Sequence, residues 1–250
     1  MVDTRAMMVC RWRFSALPML LRGAAIALAL AEKGADVAIT YERSVDRAAE
    51  VVRAIEARGR KALAIQADSA DPAAVKRSVE ETVAGLGGLD ILVNSVGIAR
   101  VGAFVDLSLA DIDALLNVNV RSAVLSTQAA IPHLGRGGRI ITVGSNAAER
   151  APFAGLAGYS LTKSALLGLT RHLARELGPQ DITVNLVQPG PIDTDMNPAN
   201  GELAGTVREL TSLGRYGKPA EIATVVSFLA SPAASFMTGS IVTADGGLNA

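Results

Sequence analysis

Residues 23–40 read GAAIALALAEKGADVAIT, and the hydrophobic pattern changes character partway through. From Ala24 to Lys33 the chain is dominated by Ala and Leu, residues that lose little freedom in a helix. Gly34 is a stop signal, since glycine accepts the left-handed conformation that closes a last helical turn. ADVAIT then runs apolar residues together with several β-branched ones, as a strand covered on both faces does. A helix, a glycine and a buried strand in so short a stretch are the repeating unit of a sheet whose strands are joined by helices.

The same alternation continues to the end of the chain. Helical periodicity is read over residues 46–58, 72–86, 109–118, 120–134, 158–177 and 220–229. Between these lie the apolar runs KALAIQA, LDILVNS, GGRIITVGS and ITVNLVQ, and SIVTA closes the chain. Residues 189–215 are rich in Pro, Asn and Gly and have no clear period, so they are expected to form a lid on the substrate side. With no internal repeat and no linker, the pattern predicts one α/β domain: a doubly wound parallel sheet of about seven strands with helices on both faces.

Bulk composition narrows the function. Half of the 250 residues are apolar, enough for a large core. Lys plus Arg and Asp plus Glu number 24 each, and no basic stripe stands out, so no nucleic-acid partner is expected. One cysteine, Cys10, gives neither a disulfide nor metal-ligand spacing, and no metal is expected. Arg5, Arg11 and Arg13 ahead of apolar residues 14–21 loosely resemble a targeting peptide, but Arg22 interrupts the run and residues 36–40 continue as core strand. No membrane-spanning run is present in the sequence, and a cytoplasmic location is expected.

In a doubly wound sheet, ligands sit outside the carboxyl ends of the strands. Here those ends carry residues 40–44, Asp68 and Ser69, residues 94–97, Ser145 and residues 189–194. Nearly all are polar or small, which core packing alone does not require. Tyr159 and Lys163, in YSLTK, lie four apart and so share one helical face. An ammonium beside a phenol favours the phenolate, which suits a tyrosine to general acid–base work. Taken on spacing alone, such a pair is more often an unremarked feature of a helix surface. Ser145, just after RIITVG, is placed to hydrogen-bond a carbonyl oxygen, or to cap a turn as lone serines commonly do. Asn119 sits where a helix would prefer another residue, and marks either a kink with a freed carbonyl and a bound water or a solvated side chain. His133 and His172 have no partners at metal spacing and read as surface residues.

These residues in this order resemble the short-chain dehydrogenase/reductase family, over residues 23–250. The matching stretches are GAAIALALAEKGADV, NSVG (94–97), NVNV (117–120), the GS before YSLTK, PGPIDT (189–194) and TGSIVTADGG (238–247). The resemblance implies a Rossmann-type fold and a catalytic tetrad of Asn119, Ser145, Tyr159 and Lys163. It implies hydride transfer between a nicotinamide and a carbonyl carbon, as in 3-oxoacyl-acyl-carrier-protein reductases, with Tyr159 supplying the proton. A small-molecule or acyl-thioester carbonyl substrate and a homo-oligomer, dimer or tetramer, follow from the same resemblance. It also gives Asp68 the adenine edge, Asn94 and Gly97 the ribose, and Ile192 with Thr194 the carboxamide, with Ser69, Pro189, Tyr159 and Lys163 touching the cofactor as well. At the end of the second strand, TYERS offers Tyr41, Arg43 and Ser44, and a guanidinium with a hydroxyl suits a 2′-phosphate. NADP is therefore expected over NAD, although Glu42 lies between them.

The last third of the chain is also similar to a cyclic-di-GMP-binding, biofilm-dispersal branch of the family, so a ligand-binding or structural role is the alternative. Residues 1–22 form an atypical first strand and loop. The family's TGxxxGxG loop would place Ala16 at its threonine and Leu17 and Leu21 at glycines. A leucine in a left-handed position costs roughly 1–2 kcal/mol, and Pro18 removes an N–H from an anion-binding nest. The segment is read as frame-shifted, as a divergence that impairs cofactor binding, or as a loop around which the remaining contacts suffice.

Overall fold

The structure, a computed structural model, describes residues 7–10 and 22–250. Among the described residues, β1 (Met7–Cys10), β2 (Val37–Tyr41), β3 (Ala62–Gln66), β4 (Ile91–Asn94), β5 (Arg139–Val143), β6 (Thr183–Pro189) and β7 (Ile241–Ala244) form one sheet. All neighbours are parallel, in the order 3-2-1-4-5-6-7. The chain winds outward in one direction from β1 to β3 and in the other from β4 to β7. The switch point lies between β1 and β4, where Cys10 pairs with Asn94. The crevice for a ligand opens above that point.

The helices are α1 (Arg22–Glu32), α2 (Val45–Glu56), α3 (Pro72–Leu86), α4 (Leu109–Leu116), α5 (Ser122–Ala130), α6 (Ala157–Leu177), α7 (Ala204–Leu210) and α8 (Pro219–Ala230). Local chemistry sets their ends. Asp71 caps α3 by accepting from the Ala73 N–H at 2.9 Å, Pro72 occupies the first turn, and Gly87 closes it at φ 83°. Gly34, at φ 95°, follows α1 and turns the chain into β2.

Strand side chains alternate between two apolar layers. Ile91, Val93, Ile141 and Val187 pack with α1 and α8 residues such as Ile26, Val226 and Leu229. Leu92, Ile140 and Val184 face Val79, Ala130, Ala174 and Leu177 on the opposite side. Each fully buried Leu or Ile contributes about 1.5–3 kcal/mol of transfer free energy. The double coverage explains why the strands read as unbroken apolar runs rather than as alternating ones.

MMVC, within the segment expected to hold an atypical first strand, pairs on both sides as β1. Two expectations needed correction. The predicted break at Asn119 is a π-helical turn, Asn117–Arg121, so the chain stays helical from α4 into α5, with a final 3-10 turn at Ile131–His133. The aperiodic segment 189–215 contains α7, two turns long and anchored by buried Ala204 and Val207. Seven residues are too few to establish a period among flanking Gly and Pro. Ala16, Leu17, Pro18 and Leu21 lie outside the described residues. Among the described residues no helix is long and apolar enough to cross a membrane.

Candidate active site

The long helix α6 buries Thr162, Lys163, Leu166 and Thr170 against the sheet and leaves Tyr159 at its first turn, half-buried. Lys163 is 3 % exposed. Its Nζ lies 3.3 Å from the Val143 carbonyl oxygen and 3.4 Å from that of Val96. These acceptors end β5 and follow β4, so the sheet itself receives the ammonium. A buried charge survives only where such partners replace water. The same Nζ is 5.8 Å from the centre of the Tyr159 ring, bringing the expected pair together. Gly97 passes close by: a Cβ there would fall 3.0 Å from Lys163 Nζ and 3.5 Å from Asn119 Oδ1.

Asn119 is 1 % exposed, which removes the solvated reading. Its Oδ1 accepts from the Ile98 N–H at 2.8 Å, while Nδ2 donates to the Ile98 carbonyl and to Thr162 Oγ1, both at 2.9 Å. The π turn accounts for the placement. Ser122 N–H reaches back five residues to the Asn117 carbonyl, so the helix widens and carries Asn119 inward. Thr162, which joins Asn119 to the helix of Tyr159 and Lys163, was missed in the sequence. Its position beside Lys163 and three residues after Tyr159 was the available signal.

Ser145 begins a 3-10 turn, Asn146–Ala148, and its Oγ accepts from the Ala147 N–H at 3.2 Å. The capping reading therefore holds, and Ser145 also lines the cleft that Tyr159 lines. Two further serines fix that turn to α6. Ser160 Oγ donates to the Ala147 carbonyl at 2.5 Å and Ser164 Oγ to that of Ala148 at 2.8 Å. The shared cleft has a volume of about 350 Å³, and Pro189, Ile192, Thr194, Met196, Leu203 and Leu248 are among its walls. Pro152 and Phe153 line it too.

A second hollow, about 20 Å³, is lined by Thr40, Ser69, Asn94, Asn119, Ser122, Ser126 and Thr142 among others. Asn94 turns its side chain to α5, donating to Thr127 Oγ1 at 3.1 Å and accepting from Ser126 Oγ at 2.7 Å. Its backbone is thus what remains for the crevice. Asp68 Oδ1 accepts from the Ala70 N–H at 2.9 Å, shaping the loop after β3 that also holds Ser69. Thr194 Oγ1 donates to the Ile192 carbonyl at 3.3 Å. At the end of β2, Tyr41 and Ser44 are half-buried and the Arg43 side chain is 81 % exposed, with Nε 3.4 Å from Glu42 Oε1. Arg47, absent from the sequence expectations, reaches from α2 to Asp195 at 3.4 Å.

These surroundings fit a dinucleotide. The Gly97 backbone is left bare beside Lys163, and Ser95 Oγ is shielded from solvent without a hydrogen-bond partner among the described residues. An exposed guanidinium stands at the end of β2, where a ribose substituent would be read. His133 and His172 are both exposed, and no group of three metal-ligating side chains occurs among the described residues.

Comparison with known proteins agrees with the geometry. Residues 23–249 match a family model described as Enoyl-(Acyl carrier protein) reductase. The cyclic-di-GMP-binding biofilm dispersal mediator protein of Escherichia coli K12 is 42 % identical over 228 residues, 91 % of this chain and 92 % of that one. The 3-oxoacyl-[acyl-carrier-protein] reductase of Staphylococcus aureus Mu50 is 38 % identical over 229 residues, 90 % and 93 % of the two chains. Among solved structures, a short-chain dehydrogenase from Burkholderia cenocepacia J2315 in complex with NADP superposes with a TM-score of 0.94 at 50 % identity, covering 99 % of this chain and 98 % of that one.

Proposed function

Because this chain belongs to the short-chain dehydrogenase/reductase family, we propose that it is an NADP-dependent oxidoreductase interconverting a ketone and a secondary alcohol. The observation that carries the proposal is the common placement of Tyr159 and Ser145 in one cleft, with the Lys163 ammonium buried behind the tyrosine ring. The reaction type is that of the 3-oxoacyl-carrier-protein reductases.

Bound reduced nicotinamide would supply the hydride. Tyr41, Arg43, Ser44, Asp68, Ser69, Asn94, Gly97, Pro189, Ile192 and Thr194 are the residues that would hold the cofactor, with Arg43 favouring a 2′-phosphate. Ser145 Oγ holds the carbonyl oxygen in place, and the Tyr159 hydroxyl gives that oxygen its proton as charge develops. Lys163 keeps positive charge next to the phenol and stabilises it after the proton leaves. Asn119 acts through position: it ties residue 98 to α6 and so fixes the turn that carries Tyr159. The adjoining hollow of about 20 Å³ is large enough for one water that could return a proton to the site.

The test is NADPH consumption with a panel of ketones and 3-oxoacyl thioesters. Tyr159→Phe should lower turnover by about 10²–10⁴-fold while leaving NADPH binding intact. Turnover that survives the substitution would sink the assignment. We further infer a homo-oligomer built through β7 and α8, where Phe228 and Phe236 are exposed; a monomer in sedimentation velocity counts against it.

A second reading, capture of a cyclic dinucleotide, draws on the Escherichia coli relative. The cleft does not favour it, since no Lys or Arg is among the described residues that line it. Calorimetry with cyclic-di-GMP decides: heat at micromolar ligand would revive that role.

A further inference from the structure

The 350 Å³ cleft is near the small end of the range for ligand sites, roughly 300–1,000 Å³. Its polar groups are all neutral. Among the described residues that line it there is no Asp, Glu, Lys, Arg or His. Charged groups near the mouth are directed to the protein itself. Arg150 donates to the carbonyls of Leu248 and Ala250, Arg208 to that of Ala199, and Asp193 Oδ1 accepts from the Ala199 N–H at 2.8 Å. A ligand carrying a carboxylate or phosphate into the cleft would find no counter-charge among the described residues that line it.

One wall is built in an unusual way. Leu248, two residues before the last of the sequence shown, is 3 % exposed. Asp245 organises the segment, accepting from the Gly247 N–H at 3.0 Å and the Asn249 N–H at 2.9 Å. Asn249 Nδ2 then donates to the Asn146 carbonyl at 3.1 Å, and Asn146 Nδ2 returns a bond to Asn249 Oδ1 at 3.3 Å. Asn146 directly follows Ser145. The Leu248 side chain is therefore registered to the serine that would hold the carbonyl, so wall and carbonyl position move as one unit.

Building on the ketone-reductase reading above, we propose that the cleft selects an uncharged ketone bearing a compact apolar group, and that Leu248 sets the size limit for that group. An unpaired ionised carboxylate is costly to bury, which gives discrimination by charge. Leu248 supplies discrimination by bulk, of the size that a few carbons in an apolar pocket provide.

The test measures binding and turnover separately on the full chain, binding with NADP+ present so that no ketone is reduced, and turnover with NADPH. Calorimetry compares acetophenone, 4-acetylbenzoate and 2-acetonaphthone against wild type and Leu248→Ala. Wild type should bind acetophenone at least ~100-fold more tightly than 4-acetylbenzoate. Leu248→Ala should shift the 2-acetonaphthone to acetophenone affinity ratio upward by about 10-fold, with NADPH affinity unchanged. Comparable binding of the carboxylate, failure of acetophenone to bind at millimolar concentration, or an unchanged ratio in the variant overturns the proposal. The charge comparison in wild type stands even if the variant does not fold. Binding as expected without NADPH-dependent turnover would retain this inference and remove the reductase reading; turnover with only charged ketones would do the reverse.

Discussion

Two hollows reach α6, one at Leu166 and one at Tyr159, and different side chains line them. The one beside Asn119 is narrow, about 20 Å³, and lined largely by Thr, Ser and Asn whose side chains bond one another or the backbone. The cleft that Ser145 and Tyr159 line is about 350 Å³ and mostly aliphatic or proline-walled. In the first, position is set by buried hydrogen bonds, each strong because its alternative is a desolvated polar group. In the second, shape and the absence of charge decide what enters. Tyr159 lines the second, and the Lys163 ammonium behind its ring is received by the carbonyls of Val96 and Val143. In the proposed reaction, that arrangement would strengthen electrostatic interactions at the reacting atoms while leaving substrate choice to the walls.

The largest effect that could break this contrast comes from the polar side. Asn119→Ala removes three bonds at once and leaves the Ile98 N–H and carbonyl without their partner. Each buried group left unsatisfied costs about 1–3 kcal/mol, so a fall of roughly 5–10 °C in melting temperature is expected, using 2–4 °C per kcal/mol for a chain of this size. Turnover should fall further than the loss of folded protein explains, because residue 98 and α6 lose their tie. An unchanged melting temperature would show that the polar hollow is not structural.

Arg43→Ala sharpens the comparison at the cofactor end. Its guanidinium is exposed and paired with Glu42, so the fold should be unaffected. The preference for NADPH over NADH should drop by about 10-fold, the size of one charge-assisted hydrogen bond. An unaltered preference would move the 2′-phosphate contact elsewhere, with Arg47 the next cation to test.

Glu221 is remote from this chemistry and provides the smallest effect. The Arg215 guanidinium at 2.7 Å, helped by the Lys218 N–H, pulls its carboxyl down to about 2 from an ordinary 4.5. A depressed carboxyl stabilises the fold above its ordinary value and loses that contribution as pH falls from there toward 2. Both side chains are about half exposed, so the pair is worth little after solvent screening. Glu221→Gln should lower the melting temperature by about 1–3 °C at pH 7. The difference should close near pH 2, with kcat and KM unchanged at neutral pH. A catalytic defect would mean that α8 communicates with the cleft.

Much of this was legible because it depends on short-range spacing. The four-residue spacing from Tyr159 to Lys163 fixes a shared helical face whatever surrounds it, and the β5 run fixes Ser145 at a strand end. The oddness of Asn119 was visible as a poor helix former, but sequence could not distinguish a break from a π turn that preserves the helix. What escaped depends on contacts between distant segments or on backbone atoms. The carbonyls of Val96 and Val143 that receive Lys163 have no side-chain signature. Asn249 meets Asn146 across a separation of 103 residues that no local pattern encodes. α7 was hidden because its two turns sit among residues chosen for bends.

The most direct measurement of the central claim follows a hydride from the cofactor to the ketone. NADPH carrying deuterium at C4, prepared separately in each of its two stereochemical forms, is incubated with the full chain and acetophenone, and the alcohol is examined by mass spectrometry. The account predicts deuterium on the carbinol carbon from one of the two labelled forms, and none when Tyr159→Phe replaces wild type over the same time. Unlabelled alcohol from both forms, or no alcohol although NADPH and ketone each bind, would contradict it.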